Sequence, residues 1–135
     1  MSDKVMRNII QIKIDTEMIR VLRRDQEFKA EPTLHFDSKG IVKHLGIPQG
    51  ENTFHRSLNV FDGAHDSEHC LNLLLFYVFG QTQTGWIDYL LPPKLQIQVS
   101  PRLDEKLKCF SRLIFRAALG NLRMVRFHSI DVFVK

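Results

Sequence analysis

Apolar and polar positions alternate in several stretches of this chain, and each stretch predicts a half-buried strand. In Asn8 to Asp15 the residues Ile10, Ile12 and Ile14 alternate with Gln11 and Lys13, the period of two that puts one strand face on a core. Lys94 to Val99 repeats the pattern with Leu95, Ile97 and Val99. Thr33 to Phe36 reads as a short strand, and Phe54 to Val60 as another with Phe54, Arg56, Leu58 and Val60 in one phase. Met124 to Val134 changes phase between Val125/Phe127 and Ile130/Val132/Val134, which a β-bulge near His128-Ser129 would reconcile. Trp86 to Leu91 completes the strands, after the polar connection Gly80 to Gly85.

Cys70 to Phe79 (CLNLLLFYVF) is the most apolar segment. Its turn-like flanks and aromatics suggest a central, doubly buried strand, with a helix starting near Ser67 as the alternative that periodicity leaves open. Helical spacing is expected in two short pieces. Thr16 could cap one with Met18, Ile19 and Leu22 inward, and Ser38 to Leu45 forms the other, stopped by Gly46. The longest helix is expected near the C-terminus. Ser100 suits its N-cap, Pro101 its first position, and Asp104 and Glu105 its first turn. Leu103, Leu107, Phe110, Ile114 and Ala117 would form the core stripe, with Lys108, Arg112 and Arg116 opposite and Phe115 and Leu119 leaning away.

This order gives an α+β fold as one domain over residues 1–135. An antiparallel sheet of about five to seven strands would pack with one long C-terminal amphipathic helix and one or two short helices. The chain's 135 residues and 44% hydrophobic content suffice for a core. Only Cys70 and Cys109 are cysteines, too few for a disulfide framework. The start MSDKVMRN has no apolar leader, and the longest apolar run is too short to span a membrane. A cytoplasmic protein is expected, peripheral at most to the inner membrane face.

Charge alters the picture. Residues 1–93 carry 10 Lys/Arg against 12 Asp/Glu, whereas residues 94–135 carry 9 against 3. Arg102, Lys106, Lys108, Arg112, Arg116, Arg123 and Arg126 are therefore the candidate anion-binding residues, able to meet phosphates by charge alone. They point to nucleic acid or an acidic lipid surface as partner. No aromatic residues are interleaved at RNA-binding spacing, so recognition should follow shape and salt.

Catalytic signatures are thin. His65-Asp66-Ser67-Glu68-His69 matches H-x-x-E-H, and on a helix His65 and His69 could share a zinc ion beside Glu68. The pattern follows the turn Phe61-Asp62-Gly63 and lacks an evident third ligand, so neither a metal nor a cofactor is expected. Lys39 to Leu58 has part of a helix-turn-helix rhythm around Gly46, but Pro48-Gln49-Gly50 would begin its second helix. P-loop, G-x-S-x-G and dinucleotide-binding patterns are missing.

From about Asn72 onward, the order LNLLLFYVF, KLQIQVS, LDEKLKCFSRLIFRAAL and FHSIDVFVK resembles the matrix proteins of non-segmented negative-strand RNA viruses, of the rhabdovirus and bornavirus kinds. The resemblance implies a small, self-associating protein that links a nucleocapsid to the inner membrane leaflet. Met1 to Arg7 is the only stretch that could serve as the basic tail of that family, and Pro92-Pro93-Lys94-Leu95 lacks the tyrosine of its budding motif. The leading expectation is a non-enzymatic, homo-oligomeric binding and assembly protein with a basic C-terminal face. The alternatives are a small-molecule-binding or enzymatic domain using the His65–Cys70 loop, and a helix-turn-helix DNA-binding regulator.

Overall fold

The alternation in NIIQIKID makes β1 (Ile9–Ile14), the strand on which the larger sheet is built. The computed structural model describes residues 8–24, 26–46, 54–61, 67–81, 90–120, 122 and 126–135. After β1 come β2 (Ile19–Arg23), β3 (Gln26–Ala30), β4 (Thr33–Phe36), β5 (Val42–Leu45), β6 (Arg56–Asn59) and helix α1 (Ser67–Gln81). Then follow β7 (Lys94–Val99), α2 (Pro101–Lys106), α3 (Ser111–Gly120) and β8 (Ser129–Val134). Five strands form a sheet of order β3-β2-β1-β7-β8, and three more form a second sheet of order β5-β4-β6.

The larger sheet is mixed, which corrects the antiparallel expectation. β1 pairs antiparallel with β2 and β2 with β3, but β1, β7 and β8 run parallel. β7 and β8 are joined through α2 and α3, a βαβ connection that parallel neighbours require. Strand periodicity reports which residues face inward, not which way a neighbour runs.

One face of this sheet is the core. Ile10, Ile12, Ile14, Ile19, Val21, Leu95, Ile97, Val99 and Val132 are buried there, in one cluster with Leu71, Leu74, Leu75, Val78 and Phe79 of α1 and Phe115, Ala118 and Leu119 of α3. Each valine, leucine, isoleucine or phenylalanine among them contributes about 1.5–3 kcal/mol by leaving water. Asn72 Nδ2 donates to the Ala118 carbonyl at 2.9 Å and ties the two helices together.

Cys70 to Phe79 lies in α1 and not in a central strand. The run is rich in leucine, and Val78 is its only β-branched residue, so helix propensity prevails once the inward positions 71, 74, 75 and 78 have a sheet to meet. The helix expected after Thr16 is instead a tight turn, with the Asp15 N–H on the Met18 carbonyl at 2.9 Å, leading into β2. Ile19 and Val21 gain more by pairing with β1 than a short isolated helix could supply. Ser38 to Leu45 is likewise a turn and a strand. The Asp37 carboxylate accepts the Lys39 and Ile41 N–H groups at 2.8 and 3.0 Å and nucleates that turn. Gly46 ends no helix. It lies at φ +89°, where a Cβ would come within 3.1 Å of the Ala30 Cβ, so only glycine fits between the sheets.

The long C-terminal helix is broken. Ser100 caps it as expected, its Oγ accepting the Leu103 N–H at 3.1 Å, and Pro101 opens it. α2 then ends at Lys106. Lys108 (φ +56°) and Cys109 (φ +63°) make a left-handed turn, closed by the Phe110 N–H on the Leu107 carbonyl at 3.1 Å. The turn resets the phase of α3. Ser111, Phe115, Ala118 and Leu119 are buried, while Phe110 and Ala117 of the expected stripe are exposed. Ser111 Oγ donates to Asp104 Oδ1 at 2.6 Å across the break.

β8 runs opposite β7 from Ser129 to Val134 with no shift in register, so no bulge interrupts it. Of the strand expected over Met124 to Val134, residues 124–125 lie outside the described residues and Arg126 to His128 are not in a strand; Trp86 to Tyr89 and most of the Gly80–Gly85 connection also lie outside. Two of the segments that carry the matrix-protein resemblance are thus folded otherwise than as one strand and one unbroken helix.

Among the described residues Arg24 (φ +54°) is also a non-glycine residue in the left-handed region, but Lys108 and Cys109 are two in succession. Lys108→Asn combined with Cys109→Gly, the residue types such turns favour, should raise stability by about 1 kcal/mol. Urea denaturation measures it, and a lower midpoint for the double variant would contradict the assignment.

Candidate anion-binding face

The strand register that buries the isoleucines turns a second set of residues to the opposite side. Lys13 stands opposite Arg20 on β2, Arg20 opposite Lys29 on β3, Lys13 opposite Gln98 on β7, and Gln98 opposite Phe133 on β8. Lys29, Arg20, Lys13, Gln98 and Phe133 therefore form one row across all five strands. The next row is Glu27, Leu22, Gln11, Gln96 and Asp131, in which Gln11 Nε2 donates to Gln96 Oε1 at 3.1 Å.

This face is solvated. Lys13, Gln11, Glu27, Lys29 and Asp131 are exposed, and Arg20, Leu22, Gln96, Gln98 and Phe133 are half-buried. Parallel strands usually read as near-continuous apolar runs because both faces are covered. Here β7 alternates throughout and β1 from Ile10 onward, so a largely polar second face is written into their sequences.

Three cations directly opposite one another across β1, β2 and β3 repel, a cost that strand pairing alone would avoid. Glu27 relieves part of it. Its carboxylate accepts from Arg20 Nε at 2.8 Å and lies 2.6 Å from Arg20 Nη2 and 3.5 Å from Lys29 Nζ. The Arg20 hydrogen bond outweighs the opposing effect of burial and, with the charges of Arg20 and Lys29, holds the Glu27 carboxyl below its ordinary range.

At the carboxyl end of β1 and β7 the row opens into a groove of about 220 Å³, lined by Lys13, Ile14, Asp15, Met18, Arg20, Gln98, Ser100 and Lys135. Its one acid is already engaged. Asp15 accepts from Arg102 Nη2 at 2.6 Å, Arg102 Nε at 3.4 Å and Ser100 Oγ at 2.6 Å. The Arg102 hydrogen bond first, and that of Ser100 second, lower the Asp15 carboxyl to about 2. Lys13, Arg20 and Lys135 line the groove, Arg20 being paired with Glu27 of the neighbouring row.

Among the described residues, the cations that the charge count groups lie on α2, at the helix break, on α3 and ahead of β8. Arg102 is spent on Asp15, with Glu17 3.8 Å away. Lys106 and Lys108 are exposed near the helix break, and Arg126 is exposed ahead of β8. Arg112 Nε donates to the Val132 carbonyl and Arg116 Nη2 to the Ile130 carbonyl, each at 3.0 Å, so these two meet along β8. Arg123 lies outside the described residues.

His65 and the Glu68 side chain also lie outside them, and His69 is exposed on the first turn of α1. Among the described residues no group of three or more His, Cys, Asp or Glu could hold a metal ion. The helix-turn-helix segment is overturned as far as it is described, since β5 and β6 occupy its two sides and residues 47–53 fall outside.

Lys13, Arg20 and Lys29 are not signalled by the charge count, because residues 1–93 are net acidic and Arg20 falls in the segment expected as a helix after Thr16. Ile19 and Val21 alternating with Arg20 and Leu22 was the signal that could have joined them.

No protein-family model matches the chain, and no curated protein matches it. Among solved structures it is similar to a non-polymerising mutant of MamK bound to AMPPNP, with a TM-score of 0.62 and 12% identity. The match covers 93% of this chain and 40% of that one, so the chain spans well under half the length of that protein. At this identity the likeness shows a shared fold. Among the described residues no helix is long and apolar enough to cross a membrane.

The Asp15–Arg102 pair gives a pH signature. The folded carboxyl titrates at about 2 against an ordinary 3.8, so its contribution is complete above about pH 4 and is lost as pH falls towards 2. Asp15→Asn should cost at most about 1 kcal/mol near neutrality, the usual scale for a solvent-screened ion pair. Urea midpoints of variant and wild type should converge on acidification. A gap that persists unchanged to about pH 2 would contradict this role.

Proposed function

We propose that this chain is a non-enzymatic binding and assembly protein that meets an anionic partner, nucleic acid or an acidic membrane surface, through the open face of its larger sheet. The observation that carries the proposal is the row Lys29–Arg20–Lys13, continued by Lys135 at the mouth of the groove. A binding surface accounts for a like-charge row that costs stability when empty, because a polyanion turns the repulsion into attraction. The row offers ammonium, guanidinium and amide donors, which hold phosphate or carboxylate oxygens without bond-breaking chemistry. Self-association, which the resemblance to matrix proteins implies, belongs to the same proposal. The basic surface is moved from the C-terminal helices to the sheet, because Arg102, Arg112 and Arg116 have partners within the fold, whereas Arg20 and Lys29 share the one carboxylate of Glu27 and leave the row with Lys13 net positive.

A second reading rests on a different observation. The MamK structure of similar fold is bound to AMPPNP, and in open α/β sheets ligands gather at the carboxyl ends of strands, where this groove lies. The groove is smaller than the ~300–1,000 Å³ of ordinary ligand pockets. It would seat a phosphate group and leave the remainder of a nucleotide outside.

Fluorescence anisotropy with a labelled single-stranded oligonucleotide, and co-sedimentation with phosphatidylserine vesicles, separate the two partners. With three phosphate contacts, oligonucleotide affinity should drop roughly 20-fold between about 50 and 200 mM salt. Lys13→Glu with Lys29→Glu should abolish binding, while Lys106→Glu with Lys108→Glu should change it little. Binding that survives the first pair contradicts the proposal. Binding of AMPPNP alone, lost on Lys135→Glu, would favour the second reading.

A further inference from the structure

Among the described residues β8 ends the larger sheet, and one of its edges has no neighbouring strand there. Such an edge presents a row of backbone donors and acceptors that another strand can pair with. The sequence of β8, Ser129-Ile-Asp-Val-Phe-Val134, suits that pairing. It is rich in β-branched and aromatic residues, carries one charge, and contains neither proline nor glycine. Nothing in the strand's own composition blunts the edge strongly.

The protection comes from α3. The Ile130 and Val132 carbonyls accept from Arg116 and Arg112, so these residues direct their backbone groups away from β7. Groups of alternate residues point to the same edge, and Val134 therefore shares this outward set. Arg112 and Arg116 are one helical turn apart, and Ile130 and Val132 two residues apart along the strand. Each guanidinium thereby covers one of two successive outward carbonyls.

We infer that Arg112 and Arg116 are edge guards, and that the β8 edge they close is a latent pairing surface for a second copy of this chain. Two β8 edges meeting antiparallel would present the same residues to each other, an isologous contact that closes as a dimer and joins two five-stranded sheets. A second copy is the fitting occupant because β8 is itself an extended strand with the same outward groups. The inference concerns an edge and not the cationic face, and it stands whether or not that face binds an anion.

Sedimentation velocity on the full chain tests it. Arg112→Ala with Arg116→Ala should strengthen self-association at least about tenfold over wild type. Lys106→Ala with Lys108→Ala removes the same charge without touching the edge and should match wild type. Adding Val134→Pro to the guard variant removes an outward N–H and should return it to the wild-type mass. Arg116→Ala alone, which keeps one guard, should be intermediate and provides a milder variant should the double one lose its fold by circular dichroism. A folded guard variant, double or single, with the wild-type mass would overturn the inference. So would equal association in the lysine variant, or association that Val134→Pro leaves intact.

Discussion

Burial of Ile10, Ile12 and Ile14 is the constraint on which the rest of the structure depends. β1 lies in the middle of the larger sheet, with β2 antiparallel on one side and β7 parallel on the other. Once its isoleucines face α1 and α3, pairing sets the inward residues of its neighbours: Ile19 and Val21, then Leu95, Ile97 and Val99. A slip of one residue would turn Lys13 and Gln98 into the core, a far larger penalty than the repulsion of a surface row. The adjacency of the row's members, though not their charge, is therefore a consequence of core packing. Lys13, Arg20 and Lys29 are neighbours because the residues between them had to be buried.

The Asp15–Arg102 pair links that packing to the groove. It fastens the β1–β2 turn to the start of α2, and Ser100 serves both, donating to Asp15 while capping the helix. The same pair removes the charge of the groove's one acid. A contact that contributes modestly to stability thus has a larger effect on the field at the carboxyl ends of the strands.

The break at Lys108-Cys109 has a comparable double effect. Two non-glycine residues in the left-handed region cost of the order of 1–3 kcal/mol each. An unbroken helix in the expected phase would have turned Phe110 and Ala117 inward. Resetting the phase lets α3 bury Phe115 and Leu119 while Arg112 and Arg116 reach β8. The gain offsetting the strain lies in core burial and in the hydrogen bonds made to the strand edge.

Much was determined by residue order alone. The alternation at Ile10–Ile14 and Leu95–Val99 defined two strands and their inward faces, because a period of two holds whatever lies alongside. Ser100 and Pro101 marked a helix start, because capping is satisfied within a few residues. What tertiary structure decided involves distant partners. The direction of β7 and β8 relative to β1, the helix at Cys70–Phe79 and the strand at Ile19–Arg23 all turned on which surface was there to pack against. The cationic row was least legible, because its members come from three segments of a net acidic region, and only strand pairing makes Lys13, Arg20 and Lys29 adjacent.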